Sequence, residues 1–123
     1  MKLLIKKILG MLKADSSHYP TINNLDPEAF KKALEKSPEN YLIDVRTARE
    51  IRSGKLKDAI EINFMSTEFT KQIATLSRAE SYFMYCRSGN RSKKACKEMQ
   101  RMGFENLYNL EGGLLAWPFE KNY

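Results

Sequence analysis

At 123 residues the chain has room for one domain and too little for two. Its 42% hydrophobic and 29% charged residues are the balance of an ordinary soluble globular protein, and two cysteines are too few for a disulfide scaffold. The net charge of +6 attracts anions over long range, whether small molecule, acidic protein, phospholipid or nucleic acid, without choosing among them. Lysines and arginines are spread along the whole chain with no RNA-binding aromatic signature, so no nucleic-acid partner is expected. No apolar run approaches the ~18–20 residues of a membrane-spanning helix, and a reducing, cytoplasmic setting is expected.

The first stretch, Met1–Lys13, reads MKLLIKKILGMLK. Lys6 and Lys7 interrupt what would be the apolar core of a secretory signal. Wound as a helix, Leu4, Ile5, Ile8, Leu9, Met11 and Leu12 share one side, with Lys2, Lys6 and Lys13 opposite. That pattern suits weak peripheral contact of residues 1–13 with an anionic membrane surface, and it also suits a helix packed on its own domain. Residues 1–18 are read as a basic amphipathic segment and residues 19–123 as the folded domain.

From there the chain alternates. Asp26 before Pro27 is an N-cap with proline at the first helical position, and Phe30, Ala33 and Leu34 give that helix an apolar face. Tyr41–Val45 is a short apolar run, read as a strand buried on both sides. Thr47 and Glu50 are spaced as a capping box, and Gly54 stops the short helix they begin. Ile60, Ile62 and Phe64 alternate with Glu61 and Asn63, predicting a second, partly exposed strand. Ser66 is the expected cap of a helix whose apolar positions are Phe69, Ile73 and Leu76. Tyr82–Tyr85 is the most continuously apolar strand. A helix is predicted from Arg91 or Ser92 to Gly103, then a strand over Leu107–Leu110, then a turn at Gly112-Gly113 and a closing segment with Trp117. Strands alternating with helices predict an α/β fold with a mostly parallel sheet covered on both faces. In such sheets ligands bind beyond the carboxyl ends of the strands, which directs attention to the residue after the most buried strand, Cys86.

The segment Cys86-Arg87-Ser88-Gly89-Asn90-Arg91-Ser92 lies between a strand and a helix. A free thiol with pKa about 8.5 is mostly protonated at neutral pH, and the thiolate is the nucleophile. Unpaired N–H groups at the following helix's start, and its dipole of about half a positive charge, favour the anion. Arg87 and Arg91 add two fixed charges, and Gly89 lets the backbone curl so that several amides face inward. The same cradle would hold a small anion against the sulfur. His18, the only histidine, precedes the folded pattern, so neither a Cys–His pair nor a zinc site is expected, and no cofactor is required. Cys96 shares an apolar helix face with Ala95, Met99 and Met102 and is read as core.

At these residues the chain resembles a single-domain rhodanese, a thiosulfate or persulfide sulfurtransferase. The resemblance runs from about Leu25 to Trp117. It rests on Leu42-Ile43-Asp44-Val45-Arg46 followed by Glu50, on Gly54 and Ala59-Ile60, on Tyr85 through Ser92, on Gly103-Phe104, and on Leu110-Glu111-Gly112-Gly113-Leu114 with Trp117. It implies a rhodanese-like sheet of about five strands flanked by helices on both faces. It implies that Cys86 accepts a sulfane sulfur as a persulfide, from thiosulfate or a protein persulfide, and passes it to a thiophilic acceptor such as cyanide or a carrier thiol. By match of position, Arg91 closes the loop, Arg87 and Ser88 lie where substrate would approach, and Asp44 and Arg46 are structural support. Ser88, Gly89, Asn90 and Ser92 complete the substrate-binding loop. Related phosphatases and arsenate reductases of this fold carry one more residue in the loop than the four between Cys86 and Arg91, which favours sulfur over phosphate. A non-catalytic, protein-binding module of the same fold is the other alternative. The family often has His-Ile-Pro-Gly-Ala after Gly54, where this chain has Lys55-Leu56-Lys57-Asp58-Ala59.

Overall fold

The computed structural model describes residues 22–37 and 39–121; the amphipathic Met1–Lys13 reading and the boundary at residue 18 lie outside them. Among the described residues five strands and five helices follow one another. The strands are β1 (Asn23–Leu25), β2 (Tyr41–Asp44), β3 (Ile60–Glu61), β4 (Ser81–Tyr85) and β5 (Asn106–Leu110). The helices are α1 (Pro27–Lys36), α2 (Ala48–Ile51), α3 (Phe69–Ala74), α4 (Asn90–Arg101) and α5 (Gly113–Ala116). The strands form one sheet in the order β1-β5-β4-β2-β3, and every pairing is parallel.

Capping chemistry sets several of the boundaries. The Asp26 carboxylate accepts from the Ala29 amide at 2.9 Å, satisfying a free donor of α1. Thr47 and Glu50 close a reciprocal capping box at the start of α2. The Ser66 expectation needs correction: its hydroxyl accepts from the Glu68 amide at 3.0 Å, turning the chain just ahead of α3 rather than capping that helix. The strand expected through Phe64 ends at Glu61, and Ile62 and Phe64 donate to the carbonyls of Asp44, the last residue of β2, and Val45 just beyond it. β1 was not foreseen. Its three residues are polar or half-buried, and the pairing with β5 makes them a strand.

Side chains alternate across the sheet and so build two cores. Ile43, Val45, Tyr82, Met84 and Leu107 pack against Phe69 and Ile73 of α3 and Ala95, Cys96 and Met99 of α4. On the other face Leu42, Phe83, Tyr85 and Leu110 pack against Phe30 of α1, Leu56, Ala59 and Leu114. Phe30 meets Phe83 edge to face at 5.4 Å between ring centroids. β4 lies at the centre of the sheet with helices over both faces, so the residue leaving it emerges between the loops after β2 and β5. Among the described residues, no helix is long and apolar enough to cross a membrane.

Candidate active site

Alternation along β4 decides which side Cys86 takes. Tyr82 and Met84 face α3 and α4, and Cys86, two residues further, continues on that face. Helix α4 begins four residues later, so its first turn lies over the sulfur. The Gly89 amide donates to Cys86 Sγ at 3.1 Å, the Ser92 amide at 3.4 Å and the Ser92 hydroxyl at 3.4 Å. Gly89 stands at φ +93°, the left-handed region in which a residue without Cβ is at ease, and that turn aims its N–H inward. A Cβ there would fall 3.0 Å from both Gly112 N and Leu110 O.

Cys86 has no exposed surface. Burial pushes its thiol pKa up, but hydrogen bonds from the Ser92 hydroxyl and the Ser92, Gly89 and Ser88 amides outweigh burial and hold it below the ordinary value. Each of these donors is stronger toward a thiolate than toward a thiol, so together they favour the thiolate without a general base. Cys96 is the opposite case. It is fully buried in the core, and burial, reinforced by the neighbouring Cys86, pushes its thiol up to about 12.

The loop is held from two sides. Arg91 donates to both Glu50 oxygens, at 2.6 and 2.7 Å, which ties the loop to α2. On the other side the Leu114 and Leu115 amides donate to the carbonyls of Cys86 and Arg87, both at 3.0 Å. Gly113 permits this approach, for a Cβ there would fall 2.4 Å from Arg87 O. Beneath the neighbouring strand, Asp44 accepts from Arg46 at 2.7 Å in a buried ion pair, and Arg46 also donates to the Gly54 carbonyl at 2.7 Å. The Tyr85 hydroxyl accepts from the Leu56 amide at 3.0 Å, which fixes the Lys55–Ala59 turn where the chain departs from the family pattern.

Of the residues named from sequence, Gly89 and Ser92 are buried against the sulfur, while Arg87, Ser88 and Asn90 are exposed at the rim. Arg91 acts on the sulfur through its charge, which interacts with that of Cys86, and not through a hydrogen bond. Among the described residues no arginine hydrogen-bonds to it, and the Arg91 guanidinium is paired with Glu50 because it sits in the first turn of α4 facing α2. Two contributors were not foreseen. The Glu50–Arg91 pairing joins residues 41 positions apart, and the capping-box spacing of Glu50 revealed only its local partner. Asn109 is buried beneath the loop and donates to the Gly89 carbonyl at 3.3 Å; an asparagine between Tyr108 and Leu110 in a parallel strand was the available signal. Among the described residues no three His, Cys, Asp or Glu side chains gather as a metal site requires.

This arrangement, a hydrogen-bonded thiol at the end of a central parallel strand, can attack a small electrophile and hold the resulting anion. The chain is 35% identical over 99 residues to "Putative sulfurtransferase YtwF" of Bacillus subtilis (strain 168), spanning 80% of this chain and 93% of that one. It is 30% identical over 96 residues to "Sulfurtransferase" of Allochromatium vinosum, spanning 78% of this chain and 88% of that one. Its fold matches the crystal structure of a rhodanese-like domain protein from Staphylococcus aureus with a TM-score of 0.70 and 26% identity, over 80% of this chain and 94% of the other. The Rhodanese-like domain model matches residues 26–119, and the chain belongs to that family.

Proposed function

We propose that the protein is a sulfurtransferase or sulfur carrier in which Cys86 takes up a sulfane sulfur and hands it to a thiophilic acceptor. The observation that carries this reading is the convergence of the Gly89 amide, the Ser92 amide and the Ser92 hydroxyl on Cys86 Sγ. Its likeness to relatives named sulfurtransferases supports the same class of chemistry.

With thiosulfate as donor, the Cys86 thiolate attacks the outer sulfur. A new S–S bond forms, the bond to the sulfonate sulfur breaks, and sulfite leaves with the electron pair. The negative charge then rests on the outer sulfur of the persulfide, about 2 Å beyond Cys86 Sγ. The loop's N–H groups suit that charge in the way a helix start suits any anion. Attack by cyanide on the outer sulfur releases thiocyanate and restores the thiolate; a carrier thiol would accept the sulfur in the same way. A protein persulfide would serve as donor by the same displacement, with its own cysteine thiolate leaving.

The test is cyanide-dependent thiocyanate formation from thiosulfate, with intact-mass detection of a 32 Da adduct before cyanide is added. Wild type is expected to form the adduct and the product, and Cys86→Ser neither. A protein that never gains the adduct from thiosulfate or from a protein persulfide is a binding module rather than a sulfur carrier.

A further inference from the structure

Asn109 is polar, 1% exposed, and sits in β5 between Tyr108 and the fully buried Leu110. It lies on the same face as Leu107, toward α4, directly under the loop that follows Cys86. Its Nδ2 donates twice, to Asn24 Oδ1 at 2.8 Å and to the Gly89 carbonyl at 3.3 Å. A relay fixes which way the amide faces. Asn24 Nδ2 donates to Glu111 Oε1 at 3.2 Å, and an ionised carboxylate only accepts. Asn24 must therefore turn its oxygen to Asn109, and Asn109 must answer with its nitrogen.

The cost of this orientation is visible. Among the described residues Asn109 Oδ1 is buried and has no hydrogen-bond partner. A leucine of similar size would pack between β5 and α4 without leaving such an atom, so packing alone does not account for an asparagine here. What the amide gives is a donor at the Gly89 carbonyl. That carbonyl also accepts the Lys93 amide at 3.2 Å, the first hydrogen bond of α4. Gly89 is thus held on both sides, by its N–H on the sulfur and by its C=O between Lys93 and Asn109. A glycine needs that restraint most, since no side chain limits its φ and ψ.

We propose that Asn109 is a positioning residue for the Cys86 loop: by holding the Gly89 carbonyl it keeps the Gly89 N–H aimed at Cys86 Sγ. It acts through Gly89 and touches neither the sulfur nor a substrate. The inference rests on the sulfur-transfer reading only for the use made of the thiolate. Its experiment reads the thiolate itself.

The measurement is the rate of iodoacetamide alkylation at Cys86 across pH, followed by peptide mass spectrometry, beside thermal melting of each protein. Asn109→Leu removes the donor and keeps the branched side chain of four heavy atoms. Asn109→Thr, smaller and favoured in strands, cannot reach the Gly89 carbonyl and serves where the leucine variant does not fold. The charged groups around the loop are Arg87, the Glu50–Arg91 pair, the Asp44–Arg46 pair and Glu111, and neither variant changes them. The expected result is a midpoint about half a unit to one unit higher, hence alkylation about threefold to tenfold slower below it and unchanged at pH well above it. A folded variant with the wild-type midpoint overturns the proposal, even if its melting temperature falls, because that is the mark of a purely structural role. A wild type that forms no persulfide while the midpoint still shifts overturns the sulfur-transfer reading and leaves Asn109 its role.

Discussion

Glu50 closes the capping box on Thr47 and with the same carboxylate grips Arg91, at 2.6 and 2.7 Å. The start of α2 and the start of α4 are therefore one hydrogen-bonded unit. The Cys86 loop is strung between that unit and the carbonyl contacts of α5. Its shape is imposed by neighbours on both sides rather than by its own short sequence.

The Glu50 carboxyl titrates far below its usual range. Its hydrogen bonds to Arg91 are the largest cause; burial opposes them, the Thr47 amide helps, and the value falls from 4.5 to about 2. A carboxyl lowered in the folded state stabilises the fold fully above its unfolded value, and that contribution is lost as pH falls through the folded one. Glu50→Gln should therefore be less stable than wild type at neutral pH, with the gap closing as pH falls from about 4.5 toward 2. Urea midpoints of both proteins across that range provide the check, and a gap undiminished near pH 3 would contradict the ion-pair account.

Ser92→Ala removes one of three donors on Cys86 Sγ and leaves both amides in place. Hydrogen bonding by the Ser92 side chain is the largest effect opposing burial. Losing a hydrogen bond to the charged sulfur should raise the thiol pKa and leave roughly tenfold less thiolate near neutral pH. Iodoacetamide alkylation of Cys86 near neutral pH should slow by about that factor, with little change in melting temperature. An unchanged rate would mean that the amides suffice.

Gly113→Ala places a methyl 2.4 Å from Arg87 O and 2.6 Å from Cys86 O, both backbone atoms with no rotamer to yield. The site also has φ +60°. Overpacking costs ~1–3 kcal/mol and a left-handed alanine ~1–2 kcal/mol. The urea midpoint should fall accordingly, and persulfide formation at Cys86 should fall with it because the carbonyls that move belong to the loop. Full activity in a stable Gly113→Ala protein would show that α5 does not brace the site.

Cys96→Ala should leave the pH profile of Cys86 alkylation close to wild type. The Cys96 thiol, pushed up to about 12 by burial, supplies no thiolate near neutral pH, whereas hydrogen bonds hold the equally buried Cys86 below its ordinary value. In the wild type Cys96 should become reactive only on unfolding. Peptide mass spectrometry of the alkylated protein with and without urea separates the two cysteines, and labelling of native Cys96 at the rate of Cys86 would contradict its place in the core.

Much of this protein is written locally. Asp26-Pro27, the Thr47–Glu50 spacing and Gly103 mark helix ends through hydrogen bonds that span only a few residues. The apolar runs at residues 41–45 and 82–85 read as buried strands because only a sheet covered on both faces hides successive side chains, and all but Tyr41 are buried. The position of Cys86 after the most apolar strand and before a helix followed from the order of those elements alone.

What only the tertiary structure decided depends on partners distant in sequence. β1 is a strand because Asn23–Leu25 pair with Tyr108–Leu110, not because of its own residues. Arg91 faces Glu50 rather than the sulfur, and Asn109 reaches Gly89 from a different strand. A short-range pattern carries no information on such contacts. Their geometry is fixed when the sheet forms and brings the carboxyl ends of β2, β4 and β5 side by side.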